Sequence, residues 1–311
     1  MIICYGEILL DQFEDKNTKK VQSYVGGAPF NVAYQIHKMG GSVKFIGNIG
    51  KDEAGKKILS FFNENNLDDS ALHILKDKKT TIAKVELNHG ERSFHFLRDN
   101  SADDCFDDDS LDLIAQGDVI HVGSLMLSSE KGRDFLHRIV EYARAQKKVL
   151  SFDINYRSDI FPSQEDAKKI YLETFPHFDI VKFSKEELSF LTDEEDMEKA
   201  LRKIKGPKLI LVTLGKDGSL AYFNNKIIKA KSIKTNVIDT TGAGDAFFGT
   251  FLSNVDSIGL REMMFIPSLM ESTLKFSNIA GGLTCQKKGA IQAIPSFKEV
   301  NQVLEKQTFQ K

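Results

Sequence analysis

Residues 237–252 read VIDTTGAGDAFFGTFL. Val237 and Ile238 can close a strand, and Ala246, Phe247, Phe248, Phe251 and Leu252 make the following segment apolar nearly all round, as in a buried helix. Gly242 and Gly244 then fall at a strand-to-helix turn, where glycine reaches backbone angles closed to other residues and bars no ligand. The N–H groups of Gly242, Ala243 and Gly244 would point from the positive end of the helix dipole, where phosphate or developing negative charge is stabilised. Asp245 would sit in the first turn beside them. A carboxylate there can accept the proton of a substrate hydroxyl as its oxygen attacks phosphorus. Taken alone, the same residues could be a tight turn with an acid that complements the dipole, so the rest of the chain has to decide.

Outward from this stretch, VKFIGNIG (43–50), DVIHVG (118–123), KVLSFDI (148–154), DIVKF (179–183) and KLILVT (208–213) are apolar runs of the kind expected for strands covered on both faces. Helical patterns separate them. Leu136, Ile139, Val140 and Ala143 lie at i, i+3, i+4 and i+7 and form one apolar stripe. Such alternation predicts a parallel sheet with helices on both faces and a ligand crevice at the carboxyl ends of its strands. Residues 12–25 and 80–98 break the rhythm. Their alternation, with a turn at 88–90, reads as antiparallel hairpin material for a small accessory sheet, either a lid or an edge extension of the main one.

The 311 residues carry a formal charge of -2 and 41% hydrophobic side chains. This balance lacks the basic footprint of a nucleic-acid binder. The N-terminal segment has no basic start and meets Glu7 and Asp11 early, and no stretch approaches the roughly 20 apolar residues of a membrane span. Cys4, Cys105 and Cys285 are too few and too scattered for a disulfide framework or a zinc site. The expected setting is the cytoplasm, with neither nucleic acid nor membrane as partner.

VIDTTGAGDAFFGTFL closely resembles the C-terminal signature of the PfkB, or ribokinase-like, carbohydrate kinases. Independently, GGAPFNVAYQIHKMG (26–40) with FIGNIGKDEAG (45–55) is similar to the sugar-binding segment of that family, and the resemblance runs from GEILLD (6–11) to KKGA (287–290). It implies one ribokinase-like α/β domain over residues 1–311, a three-layer α/β/α sandwich with a mostly parallel central sheet and a small β-sheet lid. It implies Asp245 as catalytic base, with Gly242, Ala243 and Gly244 as the anion hole. Asp11, Gly27 and Asn31 match positions that bind sugar hydroxyls. Thr213, Gly215 and Gly218 in VTLGKDGS (212–219) match the nucleotide-binding stretch, and Asn278 a residue lining the adenine pocket, although on sequence alone it could be a helix-surface amide.

The co-substrate implied is ATP with Mg2+, and a K+ site near Asp239 and Thr241 belongs to the same resemblance, as does a homodimer through the lid strands. One departure concerns the metal. The NxxE pattern of the family reads SKEE (184–187) here, so Ser184 stands for asparagine beside the nucleotide while Glu187 remains to order metal-bound water. GKDEAGKK (50–57) nearly fits a phosphate loop, but Lys57 stands where a hydroxyl must meet magnesium.

Among sugars, GGAP with DINYRSDIF (153–161) is most similar to fructokinases, with Arg157 as a candidate sugar or phosphoryl contact, and FHFLRDNSADD (94–104) resembles the fructokinase segment in which a lid arginine, here Arg98, reaches the sugar. Period two would place Asp153, Asn155 and Arg157 on one face. Kinases of 2-keto-3-deoxygluconate share the DxNxR pattern, and ribokinase shares both signatures. Two other classes compete: a sugar-responsive binding or regulatory module, which would not need Asp245, and a dinucleotide-dependent dehydrogenase, which lacks its GxGxxG after the first strand.

Overall fold

The computed structural model describes residues 1–14, 21–88 and 91–309. Its strands, in chain order, are β1 Ile2–Tyr5, β2 Leu9–Glu14, β3 Val21–Gly26, β4 Val43–Gly50, β5 Leu72–Leu75, β6 Ile82–Asn88 and β7 Glu91–Leu97. There follow β8 Val119–Val122, β9 Val149–Asp153, β10 Ile180–Ser184, β11 Leu209–Thr213, β12 Ser219–Phe223 and β13 Lys226–Ala230. The helices are α1 Ala28–Lys38, α2 Glu53–Glu64, α3 Asp109–Ile114, α4 Glu130–Ala145, α5 Gln164–Thr174 and α6 Lys185–Thr192. The remaining ones are α7 Met197–Lys203, α8 Ala243–Ile258, α9 Leu260–Phe265, α10 Pro267–Thr284 and α11 Phe297–Phe309.

The main sheet has nine strands in the order β13-β12-β11-β10-β9-β8-β1-β4-β5. From β11 to β5 every neighbour is parallel, while β12 and β13 close one edge as an antiparallel ribbon. All five runs read as covered strands are in it. Alternation along β1 sends Ile2 and Cys4 into one core layer, with Phe247, Phe248 and Phe251 of α8. Ile3 and Tyr5 enter the other, with Phe135, Leu136 and Ile139 of α4. The fold is therefore the three-layer α/β/α sandwich expected. Strand order reverses at β1, which lies between β8 and β4, and this is where an open parallel sheet leaves a crevice.

A separate four-stranded sheet, β3-β2-β6-β7, stands apart from the main one. Its two hairpins are antiparallel as expected, but they join through a parallel β2–β6 pairing, Leu10 opposite Ile82, and the sheet begins at Leu9. Of the turn expected at 88–90, His89 and Gly90 lie outside the described residues. No helix among the described residues is long and apolar enough to cross a membrane.

One local expectation is corrected and one rejection is borne out. Val237 and Ile238 do not end a strand: β13 stops at Ala230, both side chains are exposed, and the Ile238 N–H donates to the Cys285 carbonyl at 2.8 Å. The pair is apolar without being core. The GKDEAGKK stretch is a strand-to-helix turn in which Asp52 caps α2 by accepting the Gly55 N–H at 2.8 Å. Gly55 is there for packing, because a Cβ would stand 2.1 Å from the Gly50 carbonyl oxygen.

Candidate active site

Two cavities meet at the start of α8. The first, of about 70 Å³, lies over the carboxyl ends of β1, β8 and β9. Glu7, Leu125, Asn155 and Arg157 reach it from the loops after those strands, and Asp11 and Phe96 reach it from the small sheet. Gly27, Asn31, Gly242 and Asp245 complete the wall. The second cavity, of about 820 Å³, is lined by Thr213 at the end of β11, by Gly215 and Gly218 after it, by Asn278 of α10, and by Ala243 and Gly244. The turn 242–245 thus forms the partition, with Gly242 and Asp245 on one side and Ala243 and Gly244 on the other.

At the partition Gly242 adopts φ +77 and caps α8, and the first helical bond runs from the Ala246 N–H to the Gly242 carbonyl. The Ala243 N–H turns back to the Thr240 carbonyl at 3.2 Å, so the expected trio of convergent donors loses its middle member in this state. Gly244 and Asp245 hold the other amides of the first turn, which have no acceptor within the helix. Asp239 braces the approach: one oxygen accepts the Thr241 N–H (2.9 Å) and hydroxyl (2.8 Å), the other the Gly289 N–H (2.7 Å). Asp245 accepts from Asn31 Nδ2 at 2.8 Å, a bond between residues 214 positions apart. Burial raises its carboxyl above the ordinary aspartate value, against the Asn31 hydrogen bond and the charges of Lys182 and Arg157. Asn31 Oδ1 is buried and has no hydrogen-bond partner.

The period-two reading of Asp153, Asn155 and Arg157 fails after β9, because Asn155 has φ +37 and turns the chain. Asn155 and Arg157 enter the first cavity, whereas Asp153 is buried against Lys182. Arg98 is held behind the wall. Its Nε donates to Asp103 (3.0 Å) and its Nη1 to Ser128 (2.6 Å), and the other Asp103 oxygen accepts from the Thr81 hydroxyl. Asp103 therefore ties together the bases of β6 and β7. Asn278 is no surface amide: it is buried and donates to the Ala230 carbonyl at 3.0 Å. Ser184 and Glu187 form a capping box at α6, with the Glu187 N–H on the Ser184 hydroxyl (3.1 Å) and the Ser184 N–H on the Glu187 carboxylate (2.7 Å). The second Glu187 oxygen accepts the Tyr156 N–H at 2.8 Å. Neither residue belongs to the two cavity walls.

Sequence reasoning passed over two buried charges. Lys182 was hidden inside the apolar run DIVKF, where a lysine in a covered strand was itself the signal. Glu7 registered only as an early acid. Its carboxyl accepts the Ala28 N–H at 3.3 Å, and burial pushes it up to about 8 despite the Arg98 charge. Between about pH 4.5 and 8 the unfolded chain has released this proton and the folded one has not, so Glu7 makes stability fall as pH rises, by about 1.4 kcal/mol per unit. Glu7→Gln keeps the acceptor and removes the ionisation. Urea midpoints measured from pH 5 to 9 are expected to decline less steeply in the variant, which should overtake the wild type in relative terms at the alkaline end.

The comparisons with known proteins identify the family. The model for the pfkB family carbohydrate kinases matches residues 1–296, and the chain belongs to that family. Fructokinase-1 of Zea mays is 36% identical over 320 residues, covering 98% of both chains. Among solved structures, the fructokinase of Xylella fastidiosa with bound ATP superposes with a TM-score of 0.90 at 28% identity, covering 99% of this chain and 98% of that one. The fructokinase of Vibrio cholerae O395 in its fructose, ADP and calcium ion bound form gives 0.86 at 28% identity, with 97% of each chain covered.

Proposed function

We propose that the protein is an ATP-dependent fructokinase that moves the terminal phosphoryl group of ATP to the 6-hydroxyl of D-fructose. The observation that carries this reading is the partition: one turn presents an acid to the small cavity and helix-start backbone to the large one. Sugar in the first cavity and nucleotide in the second would meet across Asp245. The orphaned Asn31 Oδ1 offers an acceptor for a sugar hydroxyl, and Asp11 of the small sheet and Arg157 of the loop after β9 add polar contacts. The relatives named fructokinase support the choice of sugar.

In this reading Asp245 takes the hydroxyl proton while Asn31 fixes its orientation. The amides of the 242–244 turn, with that of Asp245, receive charge on the transferred group. Thr213, Gly215, Gly218 and Asn278 seat the nucleotide. The divalent ion is Mg2+. Glu187 fits an outer role toward it, because each oxygen takes one amide and keeps a lone pair for a metal-bound water, and Ser184 holds Glu187 in place. When bound, the ion neutralises phosphate charge.

The small sheet acts as a lid over the sugar through Asp11 and Phe96, excluding water, with Arg98 and Asp103 at its base. Its edge strands β3 and β7 are the place for pairing with a second copy. A monovalent cation such as K+ beside Asp239 and a cytoplasmic setting complete the reading. Initial rates of ADP formation with fructose, ribose, 2-keto-3-deoxygluconate, glucose and mannose, with the product position determined, test it. Fructose is expected to give the highest kcat/KM and a 6-phosphate, and a tenfold preference for another sugar would overturn the substrate.

A further inference from the structure

Lys182 is the one cation of β10, and its sequence neighbours Val181 and Phe183 are buried on the opposite face of the sheet. Its side chain rises beneath the partition: Nζ and Cε lie 3.4 and 3.5 Å from the point a Cβ on Gly244 would occupy. Two of its three donors grip both oxygens of Asp153, at 2.7 and 2.8 Å, from the register-matched position on β9. The two side chains are only 7% and 5% exposed. A buried ion pair of this kind is weak as a stabilising device, since apolar residues of similar volume often serve as well or better. Its location suggests another reason for it.

The groups facing Asp245 are Lys182 from β10, Arg157 from the loop after β9, Glu187 from α6 and Asn31 from α1, and Asp153 of β9 adds its charge nearby. Three carboxylates thus share two cations. Burial works against the Lys182 charge, but Asp153, Glu187 and Asp245 outweigh it and hold the ammonium above the usual lysine value. We propose that Lys182 is a positioning residue for the transfer reaction: clamped by Asp153, it fixes a positive charge under the Gly242–Asp245 turn as the counter-ion of Asp245. This rests on Asp245 being the base. A cation held by a carboxylate from the neighbouring strand needs no reorganisation during transfer, which is the condition for electrostatic help. Because Lys182 lies below the turn rather than in the sugar wall, its loss should tell on turnover more than on sugar binding.

The test compares Lys182→Met, the double variant Lys182→Met/Asp153→Leu, Lys182→Arg and Asp245→Asn in the full chain, using fructose and ATP. Fold is followed by urea midpoint, and kcat, KM and the pH profile of kcat/KM are measured. The double variant removes both charges and is expected to match the wild-type midpoint, yet to show kcat at least about tenfold lower and an acid limb displaced upward by roughly one pH unit, with KM within about threefold. Lys182→Arg keeps a cation able to grip Asp153 and is expected to leave the limb in place. Restoration of wild-type kcat and pH profile in the double variant would overturn the proposal, because Lys182 would then only neutralise Asp153. Loss of folding in every Lys182 variant would also overturn it, in favour of a purely structural role. If instead Asp245→Asn turns over normally, the assignment of the base fails, whatever the lysine variants do.

Discussion

Asp245→Asn is expected to lower kcat by about 10²–10⁴-fold while leaving KM for sugar within roughly threefold. Asparagine keeps an oxygen for the Asn31 amide, which now donates to Asp245 at 2.8 Å, so the link between α1 and α8 survives. What disappears is the ability to take a proton. The pH dependence follows from the same burial: as the proposed base the group would work as an anion, its folded value lies above the ordinary aspartate range, and activity should therefore be lost as pH falls through that raised value. The acid limb of kcat/KM is expected at higher pH than an exposed aspartate would give, and absent from the residual rate of the variant. Initial-rate measurements of ADP release across pH decide it; a variant within tenfold of wild type would remove Asp245 from the chemistry.

The second large effect concerns Gly242. Gly242→Ala places a side chain at φ +77, and its Cβ would stand 2.8 Å from Ala290 Cβ and 3.0 Å from Ala290 Cα. The conformation alone costs about 1–3 kcal/mol. The overlap adds to it, and relief requires the partition to move away from residue 290. On the proposed mechanism the amides at the partition meet a phosphoryl group at hydrogen-bond distance, so kcat should fall by roughly 10²–10³-fold. Gly40 provides the control, because it has the same φ of +77 with nothing within 4 Å of its would-be Cβ. Gly40→Ala should lose comparable backbone stability and keep its turnover. Equal kcat losses in the two variants would mean that strain, and not the placement of the turn, explains the result.

The sheet was legible because strands buried on both faces have few ways to be written other than as apolar runs such as KLILVT, and the helix stripe at Leu136–Ala143 has the matching period. The small sheet was legible from alternation, though not its parallel seam, since nothing in a strand says which neighbour it will meet. Errors came where a pattern was taken one step too far. Val237 and Ile238 imitate the end of a strand but are 61% and 68% exposed, as the sheet had already closed with β13. Asp153, Asn155 and Arg157 alternate on paper until the left-handed Asn155 re-aims the chain. The turn at 242–245 was readable because glycine, amide and acid are neighbours in sequence. Lys182 and Glu7 were not, because their significance lies in partners from other strands and loops.

The bond between Asn31 and Asp245 also joins an early part of the chain to a late one. A nascent chain that has emerged as far as Thr235 already carries Glu7, Asp11, Gly27, Asn31 and Arg157, and so most of the sugar-side wall. It has neither the acid nor the glycine turn, and Asn278 is still to come. On the proposed chemistry, a chain that stops short of Gly242 is unable to spend ATP. Such a fragment would hold much of the sugar wall without becoming a futile nucleotide drain.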